Sequence, residues 1–97
     1  SPALINEFEK NKINSTEELA NTSFENLTSI LASCKNLISS YQYPESWSIQ
    51  AKYLQRKDWF SLIKLQRMLK SKPDSNERSK LEIIARKETK HDLFEIE

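Results

Sequence analysis

The chain has 97 residues, the size of a single domain, and its formal charge at neutral pH is +1. It contains one cysteine and one histidine, so its composition excludes an internal disulfide and a structural zinc site built from Cys and His. Glycine is absent, which excludes a phosphate-binding loop and a dinucleotide-binding fingerprint and makes β-hairpins improbable. We therefore expect a single all-α domain over residues 1–97, a small bundle of four to five helices.

The cellular setting is inferred from what the sequence lacks. The chain opens with Ser1 and Pro2 instead of an initiator methionine, which is typical of a cut site, so we expect a fragment of a larger protein. No apolar run approaches the roughly 20 residues that span a bilayer, so no membrane partner is expected. Cys34 falls on an apolar helix face, as a core cysteine in a reducing compartment would. These features predict an intracellular protein, nuclear or cytoplasmic.

Three short patterns predict helix starts in the first half of the chain. Pro2 suits the first position of a helix that runs to about Asn11. Ser15 and Thr22 each precede a glutamate by three residues, the capping-box spacing. The first box can sustain only about one turn, because the second restarts the helix near Phe24.

The strongest periodicity in the chain lies in residues 24–41. Its apolar residues share one arc of about 140° on a helical wheel; they are Phe24, Leu27, Ile30, Leu31, Cys34, Leu37, Ile38 and Tyr41. This pattern predicts one helix over 24–41 with one buried face.

The second half is divided by two prolines. Pro44 ends the preceding helix and opens the next one, and residues 45–71 form either one long helix or two. We favour a break at Lys57-Asp58, because Asp58 can cap a new helix and the buried face changes there. A last helix follows Pro73, and its face of Leu81, Ile84 and Ala85 fades into an acidic and apolar tail, residues 92–97.

Positive charge is concentrated in residues 52–72. This segment holds seven cations and one acid; the cations are Lys52, Arg56, Lys57, Lys64, Arg67, Lys70 and Lys72. Residues 1–48 have a net charge of −3 and residues 49–97 a net charge of +4. Charge segregation of this kind steers anionic partners towards the basic segment.

The basic segment also carries more large apolar residues than one helix stripe can hide. Its apolar side consists of Leu62, Leu65, Met68 and Leu69, with Lys64, Arg67 and Lys70 opposite. Phe60 and Ile63 fall on or beside the basic side. Base rates favour a central bundle helix that neighbours cover on two sides. The alternative is an exposed apolar spot rimmed by cations, suited to a short acidic and hydrophobic peptide.

No residue pattern indicates catalysis, a cofactor or a metal. The only histidine, His91, is expected on a solvated or fraying helix, which favours a lone surface histidine over a catalytic base. We predict a non-catalytic helical protein-interaction module of a larger intracellular regulatory protein. Its partner is an acidic and hydrophobic peptide or helix, and its partner-binding residues are Arg56, Phe60, Ile63, Lys64 and Arg67.

Two other functions are left open. The 52–72 segment could bind the backbone of DNA or RNA, with Tyr53, Trp59 or Phe60 stacking on bases. Nucleic-acid binding is disfavoured by the fourteen acidic residues and by a sequence pI near 7.8. A scaffold that dimerises through its helices is the weaker third option.

The tail has the composition expected of such a partner. Residues 92–97 alternate acids with Leu93, Phe94 and Ile96. We hypothesise that this tail, or a partner segment of similar composition, docks near Phe60 and Ile63, within one chain or between two. The competing interpretation is that Leu93 and Phe94 complete the core or fray in solvent.

Overall fold

The computed structural model describes residues 2–38 and 43–89. Within these ranges the chain is all-helical, with no strand, which confirms the predicted all-α class. The described part of the chain contains seven α-helices and one 3₁₀ turn: α1 (Pro2–Lys10), α2 (Thr16–Ala20), α3 (Phe24–Ala32), α4 (Lys35–Ile38), the 3₁₀ turn (Pro44–Ser46), α5 (Trp47–Gln55), α6 (Trp59–Lys70) and α7 (Ser75–Glu88). None of them is long and apolar enough to cross a membrane.

The predicted count of four to five helices was too low, partly because the helix expected over 24–41 is divided. The Ser33 amide donates to Ile30 O at 3.1 Å and the Cys34 amide to Leu31 O at 3.1 Å, so i→i+3 bonds replace the α-helical pattern there. The Ser33 hydroxyl also donates to Ile30 O, at 2.7 Å. The apolar spacing continues through this turn, which is why periodicity did not reveal it. Tyr41 lies outside the described residues.

Lysine replaces glycine at three helix ends. Lys12, Lys57 and Lys72 have φ values of 62°, 58° and 53°, the left-handed region that usually favours glycine. After α5, the Lys57 amide donates to Leu54 O at 3.1 Å and the Asp58 amide to Tyr53 O at 2.9 Å. These two bonds form a Schellman motif, which turns the chain sharply between α5 and α6.

The predicted break at Lys57-Asp58 is confirmed, and Asp58 caps the new helix as expected. One carboxylate oxygen of Asp58 accepts a hydrogen bond from the Ser61 amide at 3.2 Å. Hydrogen bonds from Ser61 hold the pKa of the Asp58 carboxyl below its usual value. The helix predicted over 59–71 is observed as α6, Trp59–Lys70.

The bundle is centred on α5, and not on the predicted pair 24–41 and 59–71. α5 packs against α2, α3, α6, α7 and the 3₁₀ turn. Two of its buried residues join a cluster shared by four helices, made of Phe24, Ile49, Tyr53, Leu65, Leu69, Leu81 and Ala85. A second cluster, Leu4, Leu27, Leu31 and Cys34, holds α1 against α3.

The end of α7 is tied to the start of α3 by Thr89. The Thr89 hydroxyl accepts a hydrogen bond from the Phe24 amide at 2.8 Å and donates to Ala85 O at 2.6 Å. Thr89 is buried, as are Leu81 and Ala85. Ile84, which the predicted helix places on the same face as Leu81 and Ala85, is 43% exposed.

Candidate functional site

The two faces of α6 differ in burial as well as in charge. Leu65 and Leu69 are buried in the core cluster. Phe60 is 78% exposed and Ile63 is 47% exposed. The interpretation that neighbouring helices cover these two side chains was therefore wrong, because the helices that pack on α6 contact its opposite side.

Four predicted site residues lie together on this outer face. Phe60, Ile63, Lys64 and Arg67 line one shallow depression, which we call the α6 patch. On a helical wheel Phe60 and Ile63 are about 60° apart with Arg67 between them, so the cation stands among the apolar groups. The ring and the aliphatic side chain thus face solvent beside a guanidinium.

The cations of the α6 patch are not neutralised within the described residues. Neither Lys64 nor Arg67 has a carboxylate within 4.0 Å there, although other exposed cations do. Their positive charge therefore acts on the surrounding solvent and can attract an anionic partner.

The fifth predicted residue, Arg56, is engaged elsewhere. Its guanidinium donates to a Glu88 carboxylate oxygen at 2.8 Å, linking the end of α5 to the end of α7. Arg56 is not among the residues that line the α6 patch. The structure thus brings together four of the five predicted residues.

Two residues missing from the predicted set adjoin the patch. Trp59 is 52% exposed and precedes Phe60, and Lys70 follows Arg67 by one turn and is also exposed. Both fall on the Ile63 side of the helical wheel, so the same wheel could have identified them.

The other depressions offer different chemistry. A groove between α3, the 3₁₀ turn and α7 contains Tyr43, Arg78 and Arg86, but Arg86 is already paired with Glu25 and Glu82 at 2.8 and 2.9 Å. A second groove, between α1 and α2, is lined by four apolar residues, Ile5, Phe8, Ile13 and Leu19, and by the acid Glu9. The α6 patch differs from both, because there large exposed apolar groups lie beside cations that have no carboxylate partner among the described residues.

Groups with potential for covalent or metal chemistry are sparse in the described ranges. Cys34 is buried, and burial raises the pKa of its thiol, which reduces the nucleophilic thiolate fraction. No three His, Cys, Asp or Glu residues within 2–38 and 43–89 could hold a metal ion together. His91 lies outside these ranges. The prediction of a non-catalytic domain stays a prediction.

Comparison with known proteins adds no assignment. No known protein family, curated protein or solved structure matches the chain.

Proposed function

We propose that this domain is a non-catalytic interaction module of a larger intracellular regulatory protein, which binds a segment rich in acids and large apolar side chains. The observation that carries the proposal is the solvent exposure of Phe60 and Ile63 beside Lys64 and Arg67, which have no carboxylate partner among the described residues. Arg56 is paired with Glu88 at the helix junction, so the proposed binding residues are Phe60, Ile63, Lys64 and Arg67.

The apolar and charged groups supply different parts of the binding energy. Burial of a large apolar side chain contributes about 1.5–3 kcal/mol, so Phe60 and Ile63 act as anchors. Pairs formed by Lys64 and Arg67 at a solvated rim mainly speed association and fix orientation. A site on one helix face gives a small interface, so the complex is transient.

Selection from a displayed peptide library tests this specificity. The chain should enrich peptides that combine Asp or Glu with Phe, Leu or Ile. The double variant Phe60→Ser, Ile63→Ser should lose at least about tenfold in affinity for a selected peptide, since two anchors are removed. Ile83→Ser is the matched control, because Ile83 on α7 is 67% exposed. Equal losses in both variants would contradict the assignment to the α6 patch.

A second pair of variants isolates the charge contribution. Lys64→Glu with Arg67→Glu should slow association with the acidic peptide and reduce its salt dependence. Lys80→Glu with Lys87→Glu makes the same change in net charge on the exposed side of α7. Equal slowing by the control pair would show that net charge, and not the patch, steers the peptide.

A nucleic-acid ligand is the second candidate, favoured by the exposure of Trp59 and Phe60 beside three cations of α6. Stacking on these rings would resemble the binding of single strands. With Lys64, Arg67 and Lys70 as phosphate contacts, log affinity should fall with log salt at a slope of about −2. We expect weak binding, micromolar or worse, and a tight sequence-dependent complex would reverse the ranking.

Dimerisation through the patch is disfavoured by its charge. A symmetric dimer places the same surface of two copies face to face. The interface would then contain two copies each of Lys64 and Arg67, and like charges within one interface are unfavourable. An acidic partner has no such cost.

A further inference from the structure

The last described residues lie close to the start of α6. Glu88, at the end of α7, bonds Arg56 at 2.8 Å, and Arg56 precedes Phe60 by four residues. Thr89 is buried, and its hydroxyl bonds the Phe24 amide and Ala85 O. These contacts hold the end of α7 beside the α5–α6 junction, three residues before α6 begins.

The sequence that follows this point has the chemistry that the patch requires. Residues 92–97 read Asp-Leu-Phe-Glu-Ile-Glu, three acids and three large apolar residues. An extended chain of the eight residues after Thr89 spans about 26 Å. Leu93 and Phe94 follow Thr89 by four and five residues, so an extended chain carries them about 13–17 Å from the position where Thr89 is held.

We propose that residues 92–97 are a ligand of the α6 patch on their own chain, and that they compete there with the external partner. The inference rests on the proposed function, since it assigns a second occupant to the same surface. The docked tail predicted from the sequence lies outside the described ranges. The proposal is therefore supported by the fixed position of Thr89, where the described chain ends, and by the complementary charges of the tail and the patch.

Attachment to the same chain favours this occupant over a free peptide of equal intrinsic affinity. A short flexible link gives an effective concentration on the order of millimolar. A segment with an intrinsic Kd of about half that concentration would occupy the patch two-thirds of the time, so it would weaken an external ligand about threefold.

The experiment compares the full chain with the full-chain variant Leu93→Ser, Phe94→Ser. Amide NMR spectra of both are recorded, and each is titrated with a synthetic peptide of residues 91–97. The signals of Phe60, Ile63 and Lys64 should differ between the two chains. The variant should bind the peptide about threefold or more tightly than the unmodified chain, because its own segment no longer competes.

The other outcomes separate the two proposals. Identical patch signals with equal, measurable peptide affinities would overturn the inference and leave the proposed function standing. Absence of peptide binding by both chains, with identical signals, would overturn both. If the variant instead shifts the core signals of Leu81 and Ala85 and lowers the melting temperature, Leu93 and Phe94 complete the core and the inference is wrong.

Discussion

Lys57 has a left-handed backbone conformation, which residues other than glycine disfavour. A lysine occupies this position because the chain, which contains no glycine, turns sharply between α5 and α6. Lys57→Gly should raise the free energy of unfolding by up to about 1 kcal/mol, since relief of the Cβ clash outweighs the entropy cost of glycine. Lys52→Gly, inside α5, should lower it by about 1 kcal/mol. Chemical denaturation measures both, and destabilisation by Lys57→Gly would contradict the observed turn.

Thr89 makes a buried long-range hydrogen bond, from the Phe24 amide to its hydroxyl. Thr89→Val keeps the shape but leaves that amide unsatisfied, so it should lower the free energy of unfolding by about 1–3 kcal/mol. Ser48→Ala is the control, because the buried Ser48 hydroxyl has no hydrogen-bond partner in the part of the chain that the structure describes. Its removal should be neutral or slightly stabilising. Equal effects of the two variants in thermal unfolding would contradict the Thr89 link.

At the scale of the element, the start of α6 depends on the Asp58 carboxylate. The folded-state pKa is lowered by hydrogen bonds from Ser61, so the stabilisation is present above the unfolded-state value near 4 and is lost as pH falls through the folded-state value. Asp58→Ala should lower the melting temperature at pH 7, and its difference from the unmodified chain should shrink below about pH 4.

Asp58→Asn is the matched control for this pH dependence. Asparagine retains a capping oxygen but does not titrate, so its melting temperature should stay near that of the unmodified chain at neutral pH. A deficit of Asp58→Ala that does not change between pH 7 and pH 3 would show that the carboxylate charge contributes nothing to the cap.

The orientation of α6 predicts that two of its apolar residues contribute differently to the free energy of unfolding. Leu65→Ala removes a buried side chain and should cost about 2–5 kcal/mol, as should Leu31→Ala in α3. Ile63→Ala, on the exposed face, should cost less than about 0.5 kcal/mol. Urea unfolding of the three variants compares these values, and a large loss at Ile63 would mean that the α6 patch is covered.

The helices whose ends are marked in the sequence by a capping residue or a proline were predictable. Asp58 and Pro73 bracket α6, and the Asp74 side chain bonds the Glu77 amide at 2.9 Å in the capping box of α7. The central position of α5 had no such signal, because its buried face includes Ser48 and Ala51. These small side chains allow close helix approach but add little to a hydrophobic pattern.

For the whole molecule, charge and burial were predictable to different degrees. The helical wheel placed Phe60 and Ile63 beside the cations of α6, but it could not show whether another helix covers them. That depends on long-range packing, which brings α5 and the rest of the bundle to the opposite face of α6. Long-range packing also explains why Arg56 does not line the α6 patch, since its partner Glu88 is distant in sequence.

The most direct test of the central claim is an amide NMR titration of the unmodified chain with a selected acidic and apolar peptide. We expect the largest saturable shifts at Phe60, Ile63, Lys64 and Arg67, with little change at Ile83. The same titration of the Phe60→Ser, Ile63→Ser variant should show no saturation in that range. Saturable shifts confined to the α1–α2 groove or to α7, and unchanged in that variant, would contradict binding at the α6 patch.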